Sequence, residues 1–276
     1  IDKATSQLQE QNETLKKLDK IKTEFIGIAS HQLRTPLTGI RWFTELLLKD
    51  KDKNLNPKQL DFLDQISASN QRMIKLVNDL LDVSHIETGR KFDIVKKSFS
   101  LDGVIQEVLK ENIFLISTKG LLIKDEIPAT LNIFADHDKM KQVWQNLISN
   151  ATKYSEAKTT IRIFSDIDKV RGPLFYVQDE GIGIPKDQQA QIFAKFFRAS
   201  NASLQHSDGT GLGLYIAREI IRAHGGDMWF KSEEKKGSTF YFSLPLADTV
   251  NNGKKTNSAS EKEIDPTKTI IKNKNN

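Results

Sequence analysis

Apolar residues recur at intervals of three and four through most of the first ninety positions, the spacing of helices that bury one stripe. Leu18, Ile21, Phe25 and Ile28 follow the interval of a coiled-coil seam. Upstream, Leu8, Leu15 and Leu18 lie on a stripe displaced by three residues. Such a slip overwinds a coiled coil locally, so 1–22 reads either as an imperfect heptad or as a signalling helix whose phase can change. After a polar break at 50–57, a second helix carries Leu63, Ile66, Asn70, Met73, Val77, Leu80 and Ser84 at the same spacing. Asn70 takes a seam position, where an amide lowers stability and fixes register. Two long helices with a short loop predict an antiparallel α-helical hairpin over 23–89, ended by Gly89 as a cap. One hairpin cannot cover both seams, so a dimeric four-helix bundle built by two chains is expected.

From Phe92 the pattern changes. Strands are predicted at 91–96, 121–126, 159–166, 174–178, 227–231 and 239–244, and helices at 101–118, 138–154, 186–193 and 212–224. This order lacks strict β-α-β alternation and predicts an α+β sandwich over 90–247. The stretch 248–276 is rich in Asn, Lys, Ser and Thr without an aromatic residue, the composition of a disordered polar tail.

Composition narrows the function classes. Lys and Arg number 41 against 36 acids, a net +5, and six Lys against four acids in the tail supply +2 of it. The remaining excess is too small to mark a nucleic-acid binder, and none is expected as a partner. Cysteine is absent, which excludes disulfides, thiol catalysis and cysteine-held metals and fits a reducing compartment. No apolar run approaches the ~20 residues that span a bilayer, and 1–22 shows no signal-peptide pattern. A cytoplasmic location is expected. The chain starts at Ile1 without an initiator Met, which suggests a piece of a longer protein with an upstream sensory or anchoring module.

Four motifs carry chemistry. In Asp179-Glu-Gly181-Ile-Gly183, an acid at a strand end followed by two glycines lets the backbone approach a flat ligand. Its carboxylate suits an exocyclic amine such as that of adenine, whereas guanine offers a carbonyl there; read alone, the motif also fits a surface turn. Gly209-Thr210-Gly211-Leu212-Gly213 runs into a helix, whose N-terminal N–H groups and dipole attract phosphate. The preceding 199–207 suits a lid. Asn146 and Asn150, one helical turn apart, put two amides on one face near Lys153, and amide oxygens suit Mg²⁺. A polar helix surface is the alternative. Finally, His31 falls off the seam, exposed to solvent, where a neutral imidazole can attack phosphorus, and Pro36 beside it hints at a functional bend. Of the other histidines, His224 before Gly225-Gly226 reads as a positive charge at a helix C-terminus, and His85, His137 and His206 lack metal-site spacing.

Together and in this order, these segments resemble a bacterial two-component sensor histidine kinase, from about Leu15 to Leu246. His31-Gln32-Leu-Arg-Thr35-Pro-Leu is similar to the phosphoacceptor box, and Asn146-Leu-Ile-Ser-Asn150-Ala-Thr-Lys153-Tyr154 to the N box. The Asp179 and Gly209 motifs are similar to two glycine boxes, Ile192-Phe-Ala-Lys-Phe-Phe-Arg198 to the F box, and Gly237-Ser-Thr239 to a third glycine box. The resemblance implies a Bergerat-type ATP-binding sandwich behind a homodimeric bundle. It implies that Asp179 receives the adenine amine, that Asn150 holds Mg²⁺, and that Asn146, Lys153 and Tyr154 support the nucleotide. Arg198 would then sit near the γ-phosphate, with His31 receiving the phosphoryl group and passing it to an Asp of a response regulator. One departure stands out. The family commonly has an acid after the phosphoacceptor, thought to act as base, and this chain has Gln32, which cannot take up a proton. Thr35 matches the position associated with dephosphorylation of the regulator. A related motor ATPase and a pseudokinase scaffold remain the competing expectations.

Overall fold

The computed structural model of the chain describes residues 26–30, 32–49, 55–87, 92–168, 171–205 and 209–245, which pack as one unit within 1–246. The coiled-coil segment 1–22, the tail 248–276 and His31 itself lie outside the described residues.

The hairpin forms as the periodicity predicts. Helix α1 comprises residues 26–30 and 32–49, so helix continues directly after Pro36, and α2 runs Pro57–Glu87. Asn70 is buried and its Nδ2 donates to the Leu37 carbonyl at 2.9 Å across the hairpin, which pins the register as an amide in an apolar seam should. Arg34 donates to Asn78 Oδ1 at 2.8 and 3.2 Å farther along. Trp42, Phe43, Leu46, Leu47, Phe62 and Ile66 stay exposed. These residues form the apolar surface that one hairpin leaves uncovered.

The remainder is a two-layer α+β arrangement. Strands β2 (Leu122–Glu126), β4 (Thr160–Asp168), β5 (Gly172–Asp179), β7 (Gly237–Ser243) and β6 (Met228–Glu233) lie in the order β2-β4-β5-β7-β6. The β2–β4 pair is parallel and the others are antiparallel. Helices α3 (Leu101–Glu111), α5 (His137–Tyr154) and α7 (Gly213–Ala223) are amphipathic, and α5 packs between the other two and onto β5. The core follows from this: Trp144 of α5 sits edge-on to Phe175 of β5 and Phe242 of β7, with centroids 6.1 and 5.2 Å away. The opposite sheet face carries Phe164, Tyr176, Tyr241 and Trp229 in a half-buried aromatic row across four strands. Desolvation and the nearby Asp166 push the Tyr176 phenol up to about 12.

Several expected elements differ. Residues 92–96 form no strand: the Val95 amide is taken by the Asp136 carboxylate at 2.9 Å rather than by a neighbouring strand. Instead β1 is Lys97–Ser100, pairing antiparallel with β3 (Asn132–Ala135), a strand the pattern did not announce. The helix expected over 101–118 breaks at Asn112, whose Nδ2 donates to the Val108 carbonyl at 2.8 Å and ends α3 before α4 (Ile113–Lys119). Lys186–Gln191 is a 3₁₀ turn rather than an α-helix. Within the expected lid, Ser200–Gln205 is helical (α6) and is pinned: Gln188 exchanges two hydrogen bonds with Ser200, and Asn201 Nδ2 donates to the Gly183 carbonyl at 3.0 Å.

Candidate active site

Helix α5 begins at an Asp136 cap, whose Oδ1 accepts the Lys139 N–H at 3.1 Å, and its register then sends Trp144, Leu147 and Ile148 into the core. That leaves Asn146, Asn150, Lys153 and Tyr154 on the side that lines a cavity of about 750 Å³. Lys153 Nζ lies 5.5 Å from the Tyr154 ring centroid.

Strand β5 delivers Asp179 to the same cavity through the sheet's alternation. The carboxylate is 7% exposed. Its Oδ1 accepts the N–H groups of Gly181 at 3.0 Å and Ser238 at 3.2 Å. Among the described residues its second oxygen has no recorded hydrogen bond, so it is available to a ligand. Burial pushes its pKa up to about 6, against the lowering effect of the two N–H donors. Glycine is obligatory at Gly181, where a Cβ would lie 2.4 Å from the Tyr154 carbonyl oxygen.

The Gly209–Gly213 loop closes the other end. A Cβ on Gly213 would lie 2.9 Å from Asn146 Oδ1, and one on Gly209 would lie 3.4 Å from the Arg198 guanidinium and 3.6 Å from Lys153 Nζ. Motifs some sixty residues apart therefore meet, and two cations flank the loop that begins α7. Arg198 donates to the Gly209 and Ala202 carbonyls at 3.4 Å each. Leu212 differs from its neighbours: its side chain is fully buried in the core, and its contribution here is a backbone N–H donated to Thr210 Oγ1 at 3.2 Å. Gln32 and Thr35 are exposed on α1 and do not line the cavity.

Sequence reasoning missed one wall of this site. Arg72, Met73, Lys75, Leu76 and Asp79 of α2 also line the cavity. Thr210 Oγ1 donates to Asp79 Oδ2 at 3.2 Å, and burial raises the Asp79 pKa, with Lys75 and the Thr210 bond opposing. Farther down α2, Asp82 accepts from Gln142 at 2.7 Å and Lys139 at 3.4 Å, and Glu87 pairs with Lys195. The available signal was an acid, Asp79, set between the seam residues Val77 and Leu80. His224 also corrects its expected role. It is buried and its pKa is lowered by desolvation, its Nε2 accepting the Asp136 N–H at 3.0 Å and its Nδ1 lying 2.8 Å from the Ile220 carbonyl. The ring is neutral and no charge meets the helix dipole.

Residues 135–248 match the family model described as "Histidine kinase-, DNA gyrase B-, and HSP90-like ATPase", and residues 21–89 match "His Kinase A (phospho-acceptor) domain". The chain belongs to the two-component sensor histidine kinases. Among curated histidine kinases it is 36% identical over 240 residues to Sensor histidine kinase WalK of Bacillus subtilis, covering 84% of this chain and 38% of WalK. It is 34% identical over 268 residues to Signal transduction histidine-protein kinase BarA of Escherichia coli, covering 89% of this chain and 28% of BarA. The chain thus spans roughly a third of the length of these histidine kinases. Full-length ShkA in complex with AMPPNP is a structural neighbour, with TM-score 0.62 and 26% identity over 80% of this chain and 45% of ShkA. The Acinetobacter baumannii histidine kinase AdeS shares the fold at TM-score 0.55 and 24% identity, over 79% of this chain and 98% of AdeS. No described helix is long and apolar enough to cross a membrane.

Proposed function

We propose that this chain is the catalytic portion of an ATP-dependent protein-histidine kinase that phosphorylates itself on His31 and passes the phosphoryl group to an aspartate of a response regulator. The observation that carries the reading is the meeting of Asn146 with Gly213, and of Lys153 and Arg198 with Gly209, around a cavity that also holds Asp179. The site fits ATP: a buried carboxylate for the adenine amine at one end, two cations and a glycine loop at a helix N-terminus at the other. The AMPPNP complex of ShkA supports the same assignment.

In this reading Asp179 accepts the adenine amine, Gly181 and Gly183 let backbone approach the ring, and Tyr154 walls the pocket. Asn146 and Lys153 orient the phosphates, and the Gly209–Gly213 loop presents its N–H groups to them. Arg198 neutralises charge building on the γ-phosphoryl group, the main lever in phosphoryl transfer. Asn150 would hold Mg²⁺; among the described residues no cluster of three His, Cys, Asp or Glu is present, so phosphate oxygens and water would complete its shell. Mg²⁺, when bound, supplies charge neutralisation at the phosphates. A neutral His31 nitrogen attacks the γ-phosphorus, a P–N bond forms, the bond to ADP breaks, and the ring proton passes to solvent. Gln32 orients the imidazole, and Thr35 serves dephosphorylation of the regulator. The exposed apolar residues of α1 and α2 would be buried in a homodimeric four-helix bundle, downstream of a sensory module.

The test is incubation with γ-labelled Mg-ATP and mapping of the modified residue. Acid-labile, alkali-stable label on His31, absent in His31→Gln, is expected. ATP turnover without protein-bound phosphate would overturn the reading in favour of a motor-type ATPase.

A further inference from the structure

We propose that Lys119 is a positioning residue that sets the adenine selectivity of the site, an inference that rests on the ATP reading above. Lys119 is the last residue of α4, ahead of Gly120 in the left-handed conformation at φ 61°. Its ammonium donates to three backbone carbonyls: Thr152 at 3.0 Å, Lys153 at 2.6 Å and Ser155 at 2.9 Å. An ammonium has three N–H donors, so all are engaged. Among the described residues no carboxylate pairs with it.

The carbonyls belong to the end of α5, where a helix leaves its last acceptors without partners and concentrates partial negative charge. That same turn carries Lys153 and Tyr154, which line the nucleotide cavity. It is also the turn against which the Asp179 loop is registered. The Tyr154 carbonyl accepts the Ile182 N–H at 3.2 Å, and Ser155 bridges Gly181. Gly181 in turn donates to Asp179 Oδ1 at 3.0 Å. The connection therefore runs from the ammonium through the Thr152, Lys153 and Ser155 carbonyls, which flank the Tyr154 carbonyl, to the Gly181–Ile182 backbone and on to the carboxylate. Each peptide plane is rigid but the dihedrals between planes are soft, so releasing the ammonium from the carbonyls flanking Tyr154 lets the Tyr154 carbonyl turn and the Asp179 oxygen drift. A drift of that oxygen matters more for adenine, whose amine it must meet, than for guanine, whose carbonyl it repels.

The measurement is competition of Mg-ATP and Mg-GTP against a fluorescent adenosine nucleotide on the full chain, for native protein, Lys119→Met and Lys119→Arg, with melting temperatures alongside. Lys119→Met is expected to weaken Mg-ATP about tenfold, the order of one misplaced hydrogen bond, and to narrow the ATP-over-GTP preference. Lys119→Arg keeps donors for the carbonyls and is expected to restore most of both. Native affinity and selectivity in Lys119→Met with only a lower melting temperature would overturn the proposal, as would an equal loss for both nucleotides. If Lys119→Met does not fold, Lys119→Gln takes its place and native selectivity there overturns it equally. Failure of the native chain to bind Mg-ATP is a separate outcome: it removes the nucleotide-site reading, and this inference with it.

Discussion

Thr210 donates its hydroxyl proton to Asp79 Oδ2 across 3.2 Å, and the same hydroxyl oxygen accepts the Leu212 N–H at 3.2 Å. One side chain thus ties the glycine loop to α2. Asp79 is 4% exposed and its pKa is raised by burial. A triphosphate in the adjoining cavity would face it as a like charge. Asp79→Asn keeps the shape and an acceptor for Thr210 while removing that charge, so Mg-ATP is expected to bind roughly tenfold tighter, one pKa unit's worth of interaction. Titration calorimetry checks this; equal or weaker binding would show that the phosphate end does not feel Asp79.

Stability and binding should part company at Asp179. Its pKa, pushed up to about 6 from 3.8, means that the folded state favours the neutral acid. The associated stability is present below about pH 3.8 and is lost as pH rises through about 6, leaving a native-state cost of about 3 kcal/mol at neutral pH. Asp179→Asn is expected to raise the melting temperature at pH 7.5 and to weaken Mg-ATP at least tenfold, roughly. For the native chain, ATP affinity should fall as pH drops below 6 and binding there should release protons, read from calorimetry in buffers of different ionisation enthalpy.

Gly213→Ala isolates the meeting of two motifs. The added methyl would lie 2.9 Å from Asn146 Oδ1, the mobile end of a side chain, so Asn146 swings aside and the backbone stays. The expected result is a melting temperature close to native with ATP affinity reduced about tenfold. A native affinity would remove Asn146 from the phosphate site.

Autophosphorylation speed tests Gln32. A carboxylate at this position can accept the imidazole proton, and positioned bases contribute about 10²–10⁴-fold. Gln32→Glu is expected to raise the rate of His31 labelling by at least about tenfold. An unchanged rate would mean that a neutral imidazole needs no base here.

His224 predicts how the sandwich responds to acid. Its folded pKa is lowered by burial, so the stability it supplies is present above the ordinary histidine value of 6.5 and is lost as pH falls below it. Urea midpoints of the native chain should fall relative to those of His224→Gln between pH 7.5 and 5.5, because the variant has no charge to acquire while the opposite contribution of Asp179 is common to both.

The long elements were legible because each supplies enough positions to show its period: α2 through Leu63 to Ser84, α5 and α7 through one apolar face, β4 to β7 by alternation. Strands β1 and β3 were not, since four residues cannot establish a period of two and their pairing depends on a partner distant in sequence. The break at Asn112 was hidden because the apolar pattern continues through it into Ile113 and Ile116. In the site, the chemistry of Asp179, Asn146 and the glycine loop could be read residue by residue, but their meeting in one site was implied only by the family resemblance, since spacing along the chain does not carry it. The α2 wall was invisible because only tertiary docking brings Arg72, Lys75 and Asp79 to the cavity.

Along α2, Asp79, Asp82 and Glu87 engage three separate places: the glycine loop, α5 and the segment after the 3₁₀ turn. On helical geometry they occupy an arc of about 140°. A small axial roll of α2 would therefore carry all three acids with it, so the glycine loop, α5 and the segment after the 3₁₀ turn share one mechanical attachment.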